Sequence, residues 1–160
     1  MKKALIYLSL ACALSIPALA QTADKFAEYD KNMALLRKDL RAGKKELIAL
    51  NLPLTATEAT KFWPVYEEYA NEVAKIYDGR YALIKEYASN INSMTDPTAA
   101  NLVKRSLDSD TAMTALRQKY APIVGKVLTG KKAALFFQLD KRLGLLIDLQ
   151  LASEIPLVVQ

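Results

Sequence analysis

From Phe62 to Ile91 the apolar residues keep to one line of an α-helix. Phe62, Tyr66, Tyr69, Val73, Ile76, Leu83, Tyr87 and Ile91 recur at helical spacing. Such a stripe must be buried against another element, because a helix apolar along one side has nowhere else to hide it. A helix over 55–92 would run roughly 57 Å at 1.5 Å per residue, more than a small globule spans. The stripe therefore predicts an all-α chain, an elongated four-helix, hairpin-type arrangement of long helices.

How those helices start is written twice. Leu54-Thr55-Ala56-Thr57-Glu58 leads into Phe62-Trp63-Pro64-Val65-Tyr66, and Leu128-Thr129-Gly130-Lys131-Lys132 leads into Ala133-Ala134-Leu135-Phe136-Phe137. The Thr55 hydroxyl can accept the Glu58 N–H while the Glu58 carboxylate returns to the Thr55 N–H, a capping box worth about 1 kcal/mol. At Thr129 the third residue is Lys132, which has no acceptor to return, so the second start predicts a weaker cap. The other helices are marked by similar signals. Phe26, Tyr29, Met33, Leu36 and Leu40 make the stripe of a first helix, about 24–50, weakened at Gly43 and ended by Asn51-Leu52-Pro53. Asp96 as cap with Pro97 at the first helical position starts a third helix, 97–127. Its stripe passes through Leu102, Ser106, Met113, Leu116, Tyr120 and Val124 or Val127, and is thinned by the small and polar residues from Ser106 to Thr111. The fourth, 130–152, carries Phe136, Leu139, Leu143 and Leu146 on one side, widened by Leu135, Phe137, Leu145 and Leu149. Pro64 and Pro122 predict kinks, since each removes a backbone donor.

The ends of the chain read differently. Lys2 and Lys3, the apolar run Ala4 to Ile16, Pro17, and Ala18-Leu19-Ala20 predict an export signal cleaved after Ala20, leaving a single helical domain over 21–152. The run is short for a membrane span. Cys12 comes after Leu10-Ala11 as in a lipoprotein signal, but Ser9 stands where such signals carry leucine. The tail 153–160, with Ile155-Pro156-Leu157-Val158-Val159, is apolar, and no helix is expected past Pro156. It can fold back over the core, add to a partner's sheet edge or occupy a groove of a dimer.

Chemistry is sparse. The chain has one cysteine, within the signal, and no histidine. Triads, Cys–His pairs and His-ligated metals are excluded on that inventory. Glu67 and Glu68 are neighbours and point to different sides of a helix. No phosphate-binding glycine loop or Asp-rich calcium loop is present, so no catalytic, cofactor or metal residues are assigned and the chain is read as a non-enzyme. The formal net charge of +5 is modest; it suits acidic or amphipathic partners and gives no nucleic-acid footprint.

An exported helical chain of this size, with two Leu-Thr starts at Leu54, Thr55 with Glu58 and at Leu128, Thr129 with Lys132, resembles the periplasmic Spy/CpxP family. That family is defined by Leu-Thr-x-x-Gln motifs, and the resemblance covers roughly residues 45–150. It implies a long helical hairpin that dimerises into a curved shell. It also implies a periplasmic, stress-responsive protein, either an ATP-independent chaperone for unfolded envelope proteins or a regulator binding a sensor's periplasmic domain. A structural envelope component is a further alternative.

Two surfaces are candidates for such contacts. Trp63, Tyr77 and Tyr81 flank the stripe of the second helix and suit a dimer seam or client surface, tyrosine combining apolar area with a hydroxyl that water can satisfy. The basic cluster Arg37, Lys38, Arg41, Lys44 and Lys45 surrounds Gly43. It is either a solvated face near a helix C-terminus, where the backbone dipole favours cations, or a contact for a partner or lipid headgroup.

Overall fold

A computed structural model describes residues 39–153. The export signal, the stripe from Phe26 to Leu36, Arg37, Lys38 and the tail beyond Ser153 lie outside the described residues. The chain divides into two compact units at Ala42 and Gly43. Only residues 39–42 of the first are described, and they are helical. The helical core and its contacts belong to the second unit.

Among the described residues there are four helices and no strand. Helix α1 is described over 39–51. Helix α2 spans Ala56–Asn90, α3 Asp96–Val127 and α4 Gly130–Ser153. The all-α fold expected from the stripes is the one found.

The capping box forms as its residues dictate. Glu58 N–H donates to Thr55 Oγ1 at 3.2 Å and Thr55 N–H donates to Glu58 Oε2 at 2.8 Å. The third helix starts one residue earlier than Asp96 suggested. Thr95 is its cap, in extended conformation, with its hydroxyl facing the Thr98 N–H at 3.4 Å. Asp96 and Pro97 then fall inside the first turn, where an acid faces the positive end of the helix dipole and the missing proline donor costs nothing. Both α2 and α3 run on through Pro64 and Pro122. Each proline is exposed, so water can satisfy the carbonyl that loses its partner.

α2 and α3 form an antiparallel hairpin. Glu72 meets Lys119, Arg80 meets Asp110, and Glu86 meets Arg105, numbers rising on one helix as they fall on the other. α4 turns back at Leu128, which is buried, and runs parallel to α2. Their contacts advance together, from Glu58 with Lys132 to Tyr69 with Asp140 and Arg80 with Asp148. α1 leads into α2 through a short turn and lies antiparallel to it, with Lys45 reaching Glu67 a few turns along.

The core gathers where all four helices meet. Ile48 and Leu52 of α1, Phe62, Tyr66, Tyr69 and Val73 of α2, Met113, Leu116, Tyr120 and Val124 of α3, Leu128 and Phe136 form one buried cluster. Phe136 is its centre, with ring centroids 5.2 Å from Phe62, 6.2 Å from Tyr66, 5.8 Å from Tyr69 and 4.8 Å from Phe137. Edge-on pairs of this kind add to the stabilisation from buried area.

Candidate functional site: a buried carboxylate and an exposed leucine face on one helix

The buried line of α4 is Phe136, Asp140 and Gly144, an i, i+4 series pointing at the other helices. Asp140 is fully buried, and each of the other three helices supplies it a donor. Lys44 Nζ of α1 reaches Oδ1 at 2.7 Å, Tyr69 Oη of α2 donates to Oδ2 at 2.8 Å, and Arg117 Nε of α3 donates to Oδ2 at 3.1 Å. Burial works to raise the Asp140 carboxyl, but Lys44, Tyr69 and Arg117 hold it below the ordinary carboxylate range. Burial and the neighbouring Asp140 charge push the Tyr69 phenol far up, so it stays a donor. A buried ion group of this type adds little net stability over apolar packing, but deleting one member leaves the others uncompensated.

A second polar node lies further along. Arg80 of α2 donates from Nε to Ser109 Oγ at 2.9 Å, from Nη1 to Asp148 Oδ1 at 2.8 Å, and from Nη2 to Asp110. It joins α2, α3 and α4, and its guanidinium lies 5.4 Å from the centre of the Tyr77 ring. Burial, and then the Asp148 charge, push the Tyr77 phenol up to about 12. Gly144 fits beneath. A Cβ there would stand 3.5 Å from Arg117 Nη2 and 3.6 Å from Tyr77 Oη, ordinary contact distances.

The doubled helix starts are brought side by side. Thr55 and Thr129 play the same backbone role, each carbonyl accepting the first helical bond at 2.9 Å, from Ala59 and Ala133. Lys132, unable to complete a box of its own, reaches across to the first one. Its Nζ donates to Glu58 Oε2 at 2.6 Å, over a sequence separation of 74. The Lys132 ammonium and then the Thr55 N–H hold the Glu58 carboxyl down at about 2. The neighbouring Leu54 and Leu128 both belong to the core or its edge.

Of the candidate surface residues that are described, Lys44, Trp63, Tyr77 and Tyr81 are half-buried, whereas Arg41 and Lys45 are exposed. Lys44 is committed to Asp140. Lys45 pairs with Glu67 and lies 5.5 Å over the Trp63 ring. Trp63 is half-buried against Phe62 and Tyr66, centroids 5.2 and 5.5 Å away. Tyr77 lies between Arg80 and α4, and Tyr81 is half-buried with Lys85 5.7 Å from its ring centre. Arg41 is exposed, in the first unit. These residues therefore do not make one free aromatic and basic patch: the spacing that sets them beside the stripe also lets neighbouring helices cover them.

The exposed apolar surface lies elsewhere. Leu145, Leu146 and Leu149 of α4 are 57%, 63% and 68% exposed. The outward face of this helix is polar in its first half apart from Ala134, with Lys131, Gln138, Lys141 and Arg142, and apolar in its second, with the three leucines and Ala152. Leu146, expected in the buried stripe, and Leu145 and Leu149, expected to widen it, are on this face, beyond the reach of the core that Phe136, Leu139 and Leu143 contact. Val103 and Leu107 of α3, and Leu47 and Leu50 of α1, are also exposed. The dense run Leu143 to Leu149 is the sequence signal for this surface. Asp140, an acid four residues after Phe136 and next to Leu139 of the stripe, is the signal for the buried node.

Among the described residues no three His, Cys, Asp or Glu side chains are grouped as for a metal ion, and no helix is long and apolar enough to cross a membrane. Comparison with protein-family models, with curated proteins and with solved structures finds no match.

Proposed function

We propose that this is an exported, periplasmic helical binding protein that holds unfolded or amphipathic clients without ATP, in the manner of the Spy/CpxP proteins it resembles in sequence. The observation that carries the reading is the outward face of α4, where Lys141 and Arg142 border Leu145, Leu146 and Leu149. Apolar side chains beside cations attract exposed hydrophobic segments and acidic chains alike, with no need of a shaped pocket. The chemistry is binding, not catalysis.

The test is light scattering during refolding of several unrelated proteins, with the full exported chain at near-equal molar amounts and no nucleotide. Scattering should fall, and a Leu145→Ser, Leu146→Ser, Leu149→Ser variant should lose the effect while keeping its helical circular dichroism. Unchanged scattering for every client sinks the reading. A second reading, an adaptor that binds one periplasmic sensor domain, is favoured by the confinement of these leucines to one half of one helix. It predicts a single saturable cross-linked partner in the periplasm and no effect on scattering.

A further inference from the structure

One position of α4 is a glycine that neither its backbone nor its neighbours require. Gly144 lies inside the helix, and a Cβ there would meet Arg117 Nη2 and Tyr77 Oη at ordinary contact distances. Glycine leaves a helix interior more backbone states than any other residue, so it makes bending easier. Its place in the helix matters. Among the described residues Leu143 is the last of α4 to pack against the core, and Leu145 begins the exposed leucines. Past this point the grip on the hairpin is largely polar. Asp148, four residues on, receives Arg80 Nη1 at 2.8 Å, and Ile147 is half-buried outside the core cluster.

We propose that Gly144 and Arg80 form a hinge and a latch, and that residues 145–153 are an arm that swings from the hairpin when Arg80 lets go, with the core around Phe136 intact. The latch is built to act as one unit. Arg80 commits Nε to Ser109, Nη1 to Asp148 and Nη2 to Asp110, so α2, α3 and α4 meet at one guanidinium. Its side chain is 17% exposed, whereas those of Asp148 and Asp110 are 41% and 65% exposed. The two acids can turn to water at little cost, but a covered guanidinium left without them cannot. Partial release is therefore unfavourable, and the node is either closed or open. Ion pairs within reach of water are weak and screened by salt, so ionic strength can tip this balance. Leu145, Leu146 and Leu149 are exposed already, so opening sacrifices little burial and falls well below global unfolding in free energy. The arm carries the leucines that the proposed function assigns to clients, but the hinge and latch stand without that assignment.

Hydrogen exchange of the full chain, read by mass spectrometry, tests the device. In Arg80→Gln, peptides covering 145–149 should exchange at least about tenfold faster than in the wild type, while those covering 62–73 and 116–124 change by less than about twofold. Raising the salt from about 0.1 M to about 1 M shortens the screening length from about 10 Å to about 3 Å. That change should give the wild type the same local rise and add nothing further in Arg80→Gln. Gly144→Ala stiffens the hinge and should slow exchange at 145–149 in the Arg80→Gln background by about two- to fivefold. Unchanged exchange at 145–149 in Arg80→Gln overturns the proposal. An equal loss at 62–73 also overturns it, since Arg80 would then support the whole fold, as does a salt effect equally large in the variant. No slowing by Gly144→Ala removes the hinge. Asp148→Asn breaks the latch from the side of α4 and should reproduce the local rise, which decides the matter should Arg80→Gln not fold.

Discussion

The two halves of the α2–α3 hairpin are built on different principles. Towards the end of α1 and the start of α4, α2 buries Phe62, Tyr66, Tyr69 and Val73, and α3 buries Met113, Leu116, Tyr120 and Val124. Beyond Val73 on α2 and before Met113 on α3, no residue of either helix is fully buried. That far half is joined by charge: Arg80 to Asp110 and Asp148, and Arg105 to Glu86 at 2.7 Å. Ion pairs that remain in contact with water contribute little each. Stability in this molecule therefore comes from the near half, and the far half keeps its helices through their own propensity and continuity with it.

The sharpest way to break this comparison is a matched pair of truncations. Phe136→Ala removes the centre of the near half and should cost about 3–5 kcal/mol, whereas Leu107→Ala in the far half should stay within about 0.5 kcal/mol. Urea denaturation reads both, and similar losses would mean that the far half carries more of the core than its exposure shows. Next in size is Asp140→Asn, which leaves Lys44 and Arg117 near one another without a counter-charge and should cost about 3 kcal/mol.

Acid should act on the near half as well. The Glu58 carboxyl falls from 4.5 to about 2 on folding, so its contribution is complete above pH 4.5. A lowered folded value means the folded state binds fewer protons, and stability is lost as the pH drops from 4.5 towards about 2. Melting temperatures measured across that window should fall less steeply in Glu58→Gln.

Capping gives smaller effects. Thr55→Ala breaks a complete box and should cost about 1 kcal/mol, with Thr129→Ala costing less; equal losses in thermal denaturation would remove the asymmetry between the two starts. Smallest is Gly144→Ala. The added methyl meets only ordinary contacts, and relief of glycine's entropy in a helix should raise stability by about 0.5–1 kcal/mol. A loss there would show that α4 lies closer to Arg117 and Tyr77 than the near half can accommodate.

Much of the near half can be read from the residues alone. The Thr55 and Glu58 pair and the positions Phe62, Tyr66, Tyr69, Val73, Met113, Leu116 and Tyr120 follow from capping and helical period, which are local. What sequence does not deliver depends on which helices become neighbours. Asp140 reads as an interruption of an apolar stripe until Lys44, Tyr69 and Arg117 converge on it. Trp63 looks like a surface group until Lys45, itself exposed, is seen to lie over its ring. Thr95 and Asp96 are both competent caps, and a one-residue choice between them is below what spacing resolves. On α4 the stripe faces inward at Phe136, Leu139 and Leu143, and fails only towards the end of the helix, where Leu145, Leu146 and Leu149 are exposed.

One oxygen atom, Glu58 Oε2, accepts both the Thr55 N–H that begins α2 and the ammonium of Lys132 in the first turn of α4. Fraying at either helix start strips a donor from the same acceptor. Two helix ends distant along the chain should therefore open as one event, and amide exchange in their first turns should share a common opening free energy.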